Sequence, residues 1–362
     1  MNTLINRSGA NDVKSAYEIA AVVSQPPAPS GRSKKPVPSP VHILAEAKNI
    51  TVFAPEKAKD EDFLMKLTAL QPDLCITAAY GNFLPSKFLS IPKFGTLNIH
   101  PSLLPLYRGA APVFNYSLSS HAHSCTHLLT YQVQRCLENG DDKTGVSIVF
   151  TVLKMDAGPL VKQIVKPLQG DEKAPEILTE MFAVGTNELI DVLPSVFDGT
   201  ITISNAVAQD HARSTNATKL SVEEAKIDFA TMNSKVNSLT YSLTYRYSLI
   251  HSVQVIHNRL RGFAEWPGIW STFRIGGSDE IQRIKLITTC VLDPNPAVAP
   301  ATMQVSVIKS KKADILQIVC GDGSILGIKE LQPVNKKVMD SKSFINGLRG
   351  NTDISWCSPP SE

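Results

Sequence analysis

An apolar run ending Thr96-Leu97-Asn98-Ile99-His100 leads into Pro101-Ser102-Leu103-Leu104-Pro105 and then Arg108-Gly109. Asn98 and His100 are two residues apart, so on a strand their side chains share one face. An amide donor beside an imidazole is the equipment that a tetrahedral oxyanion requires: one hydrogen-bond donor and one group that gives or takes a proton. Taken alone, the pair also fits a turn-capping asparagine and a satisfied, half-buried histidine. The two prolines make a rigid turn whose backbone can line an apolar ligand. Arg108 adds a planar fork of donors next to a glycine that permits close approach. Farther on, Asp156 stands in Asp156-Ala157-Gly158-Pro159. It reads either as a turn-forming aspartate or as the carboxylate that orients His100.

These residues need elements to hold them. Glu18–Gln25, Asp73–Gly81 and Phe94–His100 read as short buried strands, each apolar and bounded by turn signals. "TGVSIVFTVLKMDAGPLVKQIV" supplies two more around the Asp156 turn. "VHILAEAKN" has helical spacing, as does "DEDFLMKLTALQP", with Phe63, Leu67 and Leu70 on one face; a long helical region covers Ala174–Val196. Strands alternating with helices predict an open parallel sheet with helices on both faces, whose strand ends point at a ligand crevice. Past about Asn205 a polar linker, "AQDHARSTNAT", precedes a helical stretch from "SVEEAKIDF" onward. Short β-like runs follow ("RIKLITTCVL", "TMQVSVIKS", "ILQIVCG", "SILGIKELQPV"), then a closing helix in "DSKSFINGLRG". That texture predicts a small OB-like β-barrel.

Bulk composition limits the function classes. The chain has 362 residues, enough for two domains, with 43% hydrophobic and 19% charged residues. A net charge of +3 does not mark a general nucleic-acid binder, so a basic partner site must be local. Six cysteines lie scattered without C-x-x-C pairing, which fits a reducing compartment rather than a disulfide framework or zinc site. There is no apolar run of transmembrane length.

"NIHPSLLPLYRGAAP" and "MDAGP" resemble the 10-formyltetrahydrofolate-dependent formyltransferase family. "SQPPAPSGRSKKPVPSPV", "LCITAAYGNFLP", "LENGDDKTGVSI", "AKIDF", "RLRGFAEWPG" and "GDGSILGIKELQPVNKKVM" extend the resemblance to methionyl-tRNA formyltransferases, especially their organellar plant-type form. The resemblance implies a Rossmann-like catalytic domain over residues 1–204, a linker at 205–220, an OB-like tRNA-binding domain at 221–350 and a tail at 351–362. It implies a catalytic triad of Asn98, His100 and Asp156. Folate contacts are implied at Ser102, Leu103, Leu104 and Pro105, at the loop Tyr80-Gly81-Asn82-Phe83-Leu84, and at Arg108 and Gly109. The expected substrates are 10-formyltetrahydrofolate and initiator methionyl-tRNA. No metal or membrane partner is expected, the chain is expected to act as a monomer, and the implied location is the mitochondrial matrix. The basic loop Arg32, Lys34 and Lys35 resembles the family's acceptor-stem loop, and Lys336-Lys337 resembles a second tRNA contact; both also fit ordinary solvated lysine and arginine clusters. Other folate-dependent N-formyltransferases, acting on glycinamide ribotide or an amino sugar, and a non-catalytic RNA-binding remnant are the competing readings.

Two segments depart from the family pattern. Phe114–Val133 has no charged residue and interrupts what should run from Ala-Ala-Pro-Val into Gln-Arg; Asn237–Gln254 carries one charge, Arg246. Together they hold five of eight tyrosines and four of eight histidines, the composition of translated pyrimidine-rich non-coding sequence. They are expected to be retained introns, extruded as poorly ordered loops. His121, His123 and His127 lack the carboxylate company that would make them metal ligands. The residues before Tyr17 are too polar for the buried first strand the family opens on, so that strand is expected to be missing.

Overall fold

The computed structural model describes residues 1–9, 17–29, 35–109, 131–230, 252–293, 303–308, 314–348 and 353–358. Two compact units form. The first comprises Met1–Gln132, Lys143–Lys166 and Leu178–Ala217; the second comprises Val133–Asp142, Pro167–Ile177 and Thr218–Glu362.

In the first unit, helix α1 (Asn2–Asn6) precedes β1 (Ala21–Val23), and the two-residue strands β2 (Ala28–Pro29) and β3 (Pro36–Val37) pair antiparallel. Helix α2 (Pro40–Ala47) starts where its sequence directs: the Ser39 hydroxyl accepts from His42 N–H at 3.1 Å and Pro40 occupies the first turn. Strand β4 (Thr51–Phe53) pairs parallel with β1. Helix α3 (Glu61–Ala69) is capped by Asp60 and buries Phe63, Leu64 and Leu67, with Phe63 stacked on Phe88 of α4 (Ser86–Leu89). Leu70, expected on that buried face, is instead the half-buried C-cap.

The site-bearing sheet has four strands in the order β5 (Cys75–Thr77), β6 (Thr96–His100), β7 (Lys143–Phe150), β8 (Leu160–Pro167). β5 runs parallel to β6, but β6 runs antiparallel to β7. The sheet is therefore mixed, not parallel throughout. Between β7 and β8 the short turn 151–159 likewise leaves no room for the crossover that parallel neighbours require. Leu97 and Ile99 point to one face of β6 and are almost wholly buried; Thr96, Asn98 and His100 share the other. Helix α5 (Tyr131–Asn139) lies between β6 and β7 in sequence, and α6 (Ala174–Phe197) follows β8.

In the second unit, α7 (Ser252–Phe263) buries Val253, Ile256, Leu260 and Phe263, a helical stripe. Strands β9 (Ile269–Ile275), β10 (Ile281–Leu292), β11 (Ser306–Ile308), β12 (Ile315–Val319), β13 (Ile325–Pro333), β14 (Met339–Asp340) and β15 (Ile354–Cys357) form one antiparallel sheet in the order β11-β12-β13-β10-β9-β15, with β14 on β13. Hydrogen bonds from Val305 N–H to Ile354 O and from Trp356 N–H to Met303 O, both 2.8 Å, bring its ends together into a nearly closed barrel. Phe273, Ile284, Leu316, Ile328, Leu331 and Ile354 fill the interior, and α8 (Ser341–Gly347), capped by Asp340, contributes Phe344.

Several expectations change. The strand expected over Glu18–Gln25 is confined to Ala21–Val23. Within the expected tail, Ile354–Cys357 form β15, which pairs with β9 and buries Ile354 and Trp356. Of the helical stretch expected from "SVEEAKIDF" onward, Ser221–Phe229 holds only one 3₁₀ turn, Glu223–Ala225, because Ile227 N–H donates to Trp270 O and draws the chain into the barrel; residues 231–251 lie outside the described residues and α7 supplies the helix beyond them. The two charge-poor segments end inside helices. Tyr131, Gln132 and Val133 open α5 and are buried, and Val253, in the first turn of α7, is 2% exposed. Burial of these side chains contradicts extrusion for those residues; the remainder of both segments, with His121, His123 and His127, lies outside the described residues.

Candidate active site

The site is built at the end of β6. His100 is 4% exposed, and both its ring nitrogens face acceptors: Nε2 lies 3.3 Å from Tyr107 O and Nδ1 lies 3.7 Å from Asp156 Oδ1. An imidazolium would present a donor to each. Asp156 is brought there by the turn after β7. Its φ of +46° is in the left-handed region, which a short polar side chain tolerates. Gly158 is required two residues later, since a Cβ there would sit 1.8 Å from Phe150 O. The other carboxylate oxygen of Asp156, Oδ2, accepts from Gly109 N–H at 3.0 Å.

Asn98 is half-buried on the same face of β6 as His100. Its Oδ1 accepts from the Thr77 hydroxyl at 2.9 Å. That bond takes up the oxygen of the carboxamide and leaves Nδ2 as its donor edge. Asn98, His100 and Asp156 thus form one constellation: an amide donor, a proton-bearing ring and a carboxylate that orients the ring.

The Pro101–Pro105 turn is fastened to the sheet. Ser147 of β7 donates from its hydroxyl to Ser102 O at 2.6 Å and accepts from Leu104 N–H at 3.1 Å. Gln163 of β8 donates to Leu104 O at 2.7 Å, and Ser102 Oγ donates to Leu106 O. Ser102 and Leu104 are buried, while Leu103 and Pro105 are half-buried. In the loop Tyr80–Leu84, Tyr80 and Asn82 lie side by side and burial raises the Tyr80 phenol above its ordinary pKa. Tyr80 Oη and Asn82 Nδ2 are both buried and neither completes a well-formed hydrogen bond. Gln25 Nε2 fixes the loop by donating to Tyr80 O at 2.7 Å, and Phe83 is 63% exposed.

Arg108 is buried, and its donors are committed within the unit. Nε donates to Gln209 Oε1 at 3.2 Å, and a terminal nitrogen lies 2.9 Å from His211 Nδ1. Gln209 in turn donates to Asp156 O at 2.9 Å and Gly158 O at 2.7 Å. Sequence reasoning missed Thr77, Ser147, Gln163 and Gln209. No motif marks them, although Thr77 does end a strand that feeds a site loop. Of the basic residues, Lys336 and Lys337 are exposed after β13 in the second unit and Lys35 is exposed in the first. Arg32 and Lys34 lie outside the described residues.

Residues 1–121 match the formyl transferase family and residues 248–349 match the formyl transferase C-terminal domain. The first match ends within Phe114–Val133 and the second begins within Asn237–Gln254. The chain is 32% identical to a methionyl-tRNA formyltransferase of Enterococcus faecalis over 339 residues, 94% of this chain and 91% of that protein. Against that of Roseiflexus castenholzii it is 32% identical over 335 residues, covering 92% and 90%. This chain belongs to the methionyl-tRNA formyltransferase family. Its fold is shared with an N-formyltransferase from Helicobacter canadensis solved with folinic acid and dTDP-3-aminofucose. There the TM-score is 0.50 at 14% identity over 82% of this chain and 85% of that one. It is shared also with HypX from Aquifex aeolicus, with TM-score 0.50 and 14% identity over 85% of this chain; the match spans 46% of HypX.

Proposed function

We propose that the chain transfers the formyl group of 10-formyltetrahydrofolate to the α-amine of initiator methionyl-tRNA. The observation that carries this reading is the meeting of Asn98, His100 and Asp156 at one end of β6 in a chain of this family. The neutral amine attacks the formyl carbon; a C–N bond forms and the carbonyl pair moves onto oxygen. Asn98 Nδ2 and a His100 N–H stabilise that oxyanion. The His100 contact to Tyr107 O, at 3.3 Å, is long for N–H···O and is readily exchanged for the substrate oxygen. Asp156 holds the ring and helps pass the amine proton toward N10 of the folate, which leaves as the bond to the formyl carbon breaks.

Resemblance to organellar plant-type sequences supports a role in organellar translation initiation, testable by following a tagged full-length protein in cells. The substrate assignment is tested by offering the purified chain the formyl donor with methionyl-tRNA, glycinamide ribotide or an amino sugar nucleotide in parallel. Formylmethionyl-tRNA, made one for one with tetrahydrofolate, is the expected product. Turnover on only one of the other amines would overturn the assignment, and tRNA binding without transfer would support a non-catalytic remnant.

A further inference from the structure

The oxyanion reading requires one thing of Asn98 that the backbone does not supply. Asn98 lies in the interior of the sheet, with its Cα in register with Thr77 of β5 on one side and Val149 of β7 on the other. Those ladders fix where the side chain starts. They do not fix its end, because the terminal torsion of asparagine is broad and nearly two-fold. Turned one way, the carboxamide offers two N–H donors to the developing charge. Turned the other, it offers a carbonyl oxygen, and attraction becomes repulsion.

We propose that Thr77 is a positioning residue that holds the Asn98 carboxamide in its donating orientation; the proposal rests on the oxyanion reading above. The Thr77 hydroxyl donates to Asn98 Oδ1 at 2.9 Å, which occupies the oxygen and turns Nδ2 away from Thr77. A competing acceptor, Leu97 O, lies 3.3 Å from the same hydroxyl. Were the proton sent there, the threonine oxygen would face Asn98 as an acceptor and select the reversed amide. One hydroxyl has one proton, and the shorter contact takes it. Thr77 suits the task mechanically. It is the last residue of β5, half-buried, and its β-branch restricts χ1 so that the hydroxyl does not wander.

Kinetics of Thr77→Val, Thr77→Ser, Asn98→Ala and the double variant Thr77→Val/Asn98→Ala test this in the full chain. Valine keeps the shape and removes only the donor. Thr77→Val should lower kcat by about 5–30-fold while the KM values for 10-formyltetrahydrofolate and methionyl-tRNA stay within about two-fold, since the lost interaction is made mainly in the transition state. Thr77→Ser should recover most of the loss. In the Asn98→Ala background, Thr77→Val should cost nothing further, because no amide is left to orient. A readout that needs no turnover is the side-chain amide pair of Asn98 in ¹⁵N NMR spectra, which should shift and broaden in Thr77→Val. Equal kcat in Thr77→Val and the parent, a full additional penalty on top of Asn98→Ala, or an unmoved amide signal would overturn the proposal. An Asn98→Ala variant with parental kcat would overturn the oxyanion reading itself.

Discussion

Gly109 donates its backbone N–H to Asp156 Oδ2 at 3.0 Å, which ties the peptide after Arg108 to the carboxylate that faces His100. Gly109 is also crowded: a Cβ there would meet Ala217 O at 3.0 Å, tighter than side chains accept without movement. Gly109→Ala should therefore push this peptide off the carboxylate and free Asp156 to turn. The expected result is a fall in kcat of about ten-fold, the effect of loosening one transition-state contact by a few tenths of an ångström. Circular dichroism should show an unchanged fold. Normal turnover in this variant would mean that the Gly109 bond is not needed to keep the Asp156 carboxylate facing His100.

Removal of the groups proposed as catalytic should act on rate rather than binding. Asn98→Ala, His100→Ala and Asp156→Ala should each reduce kcat by ~10²–10³, because each removes a donor or the group that orients one. Folate binding, measured by fluorescence quenching, should survive in all three. A near-normal Asp156→Ala enzyme would remove the carboxylate from the mechanism.

The charges expected to meet tRNA make a separate prediction. Neutralising Arg32, Lys34 and Lys35 together should weaken tRNA binding and flatten its logarithmic salt dependence by about two to three units of slope. The KM for the folate should hardly move. An unaltered slope in filter binding would leave these residues as surface charge with no role in recognition.

Stability should respond to pH through His257. In α7 its Nδ1 lies 2.9 Å from Thr289 Oγ1 and its Nε2 lies 3.1 Å from Gly170 O, an arrangement that satisfies the neutral ring. Burial lowers its pKa, with the Arg261 charge acting the same way, against the opposing pull of Gly170 O and Asp171. Below the ordinary value of 6.5 the unfolded chain takes up a proton that the folded chain resists. Folding stability from this group is thus complete above that pH and is lost as pH falls through it toward the lower folded value. Urea midpoints at pH 7.5 and 5.5 should differ less in His257→Gln than in the parent; an identical difference would assign the slope to other groups.

How far the sequence could be read depended on whether an element's burial was local or contributed by distant chain. β7 is buried along almost its whole length and α6 is long, so both announce themselves. β15 is four residues in a polar neighbourhood and exists because β9 pairs with it. The misread helix at Ser221 is instructive: a reciprocal cap is present, with Glu224 Oε2 accepting from Ser221 N–H at 2.7 Å. That local signal yields one 3₁₀ turn because Arg135 engages the same carboxylate and Ile227 is drawn to Trp270. At the candidate site, the placement of Asn98, His100 and Asp156 near one another was legible because their residue types suit the proposed chemistry. Thr77 and Gln209 were not, since an ordinary threonine and glutamine acquire their roles only through partners about 20 and 50–100 residues away.

The charge-poor segments give the last prediction. Excising Phe114–Val133 joins Val113 to Gln134. Val113 then takes the place of Val133, which is fully buried, with an identical side chain. Pro112 takes the place of Gln132, near the start of α5 as described, and proline is tolerated in the first turn of a helix. The excision surrenders the bond from Gln132 Nε2 to Gly109 O, at 3.2 Å, and replaces the buried Tyr131 side chain by that of Ala111. Gln134 keeps its bond to Trp266 O. This excision should preserve α5 and raise soluble yield and turnover. Excising Asn237–Gln254 is different, because Lys235 would then fall where Val253 is buried and where its N–H donates to Ser324 Oγ at 3.1 Å. The backbone bond can be kept, but an ammonium on that face should lower the thermal midpoint by several degrees, the effect of about 1–2 kcal/mol. Differential scanning fluorimetry of the two excised chains separates the cases. A first excision that unfolds the protein, or a second that leaves the midpoint untouched, would show that Tyr131–Val133 and Ser252–Gln254 contribute in some way other than through the packing described.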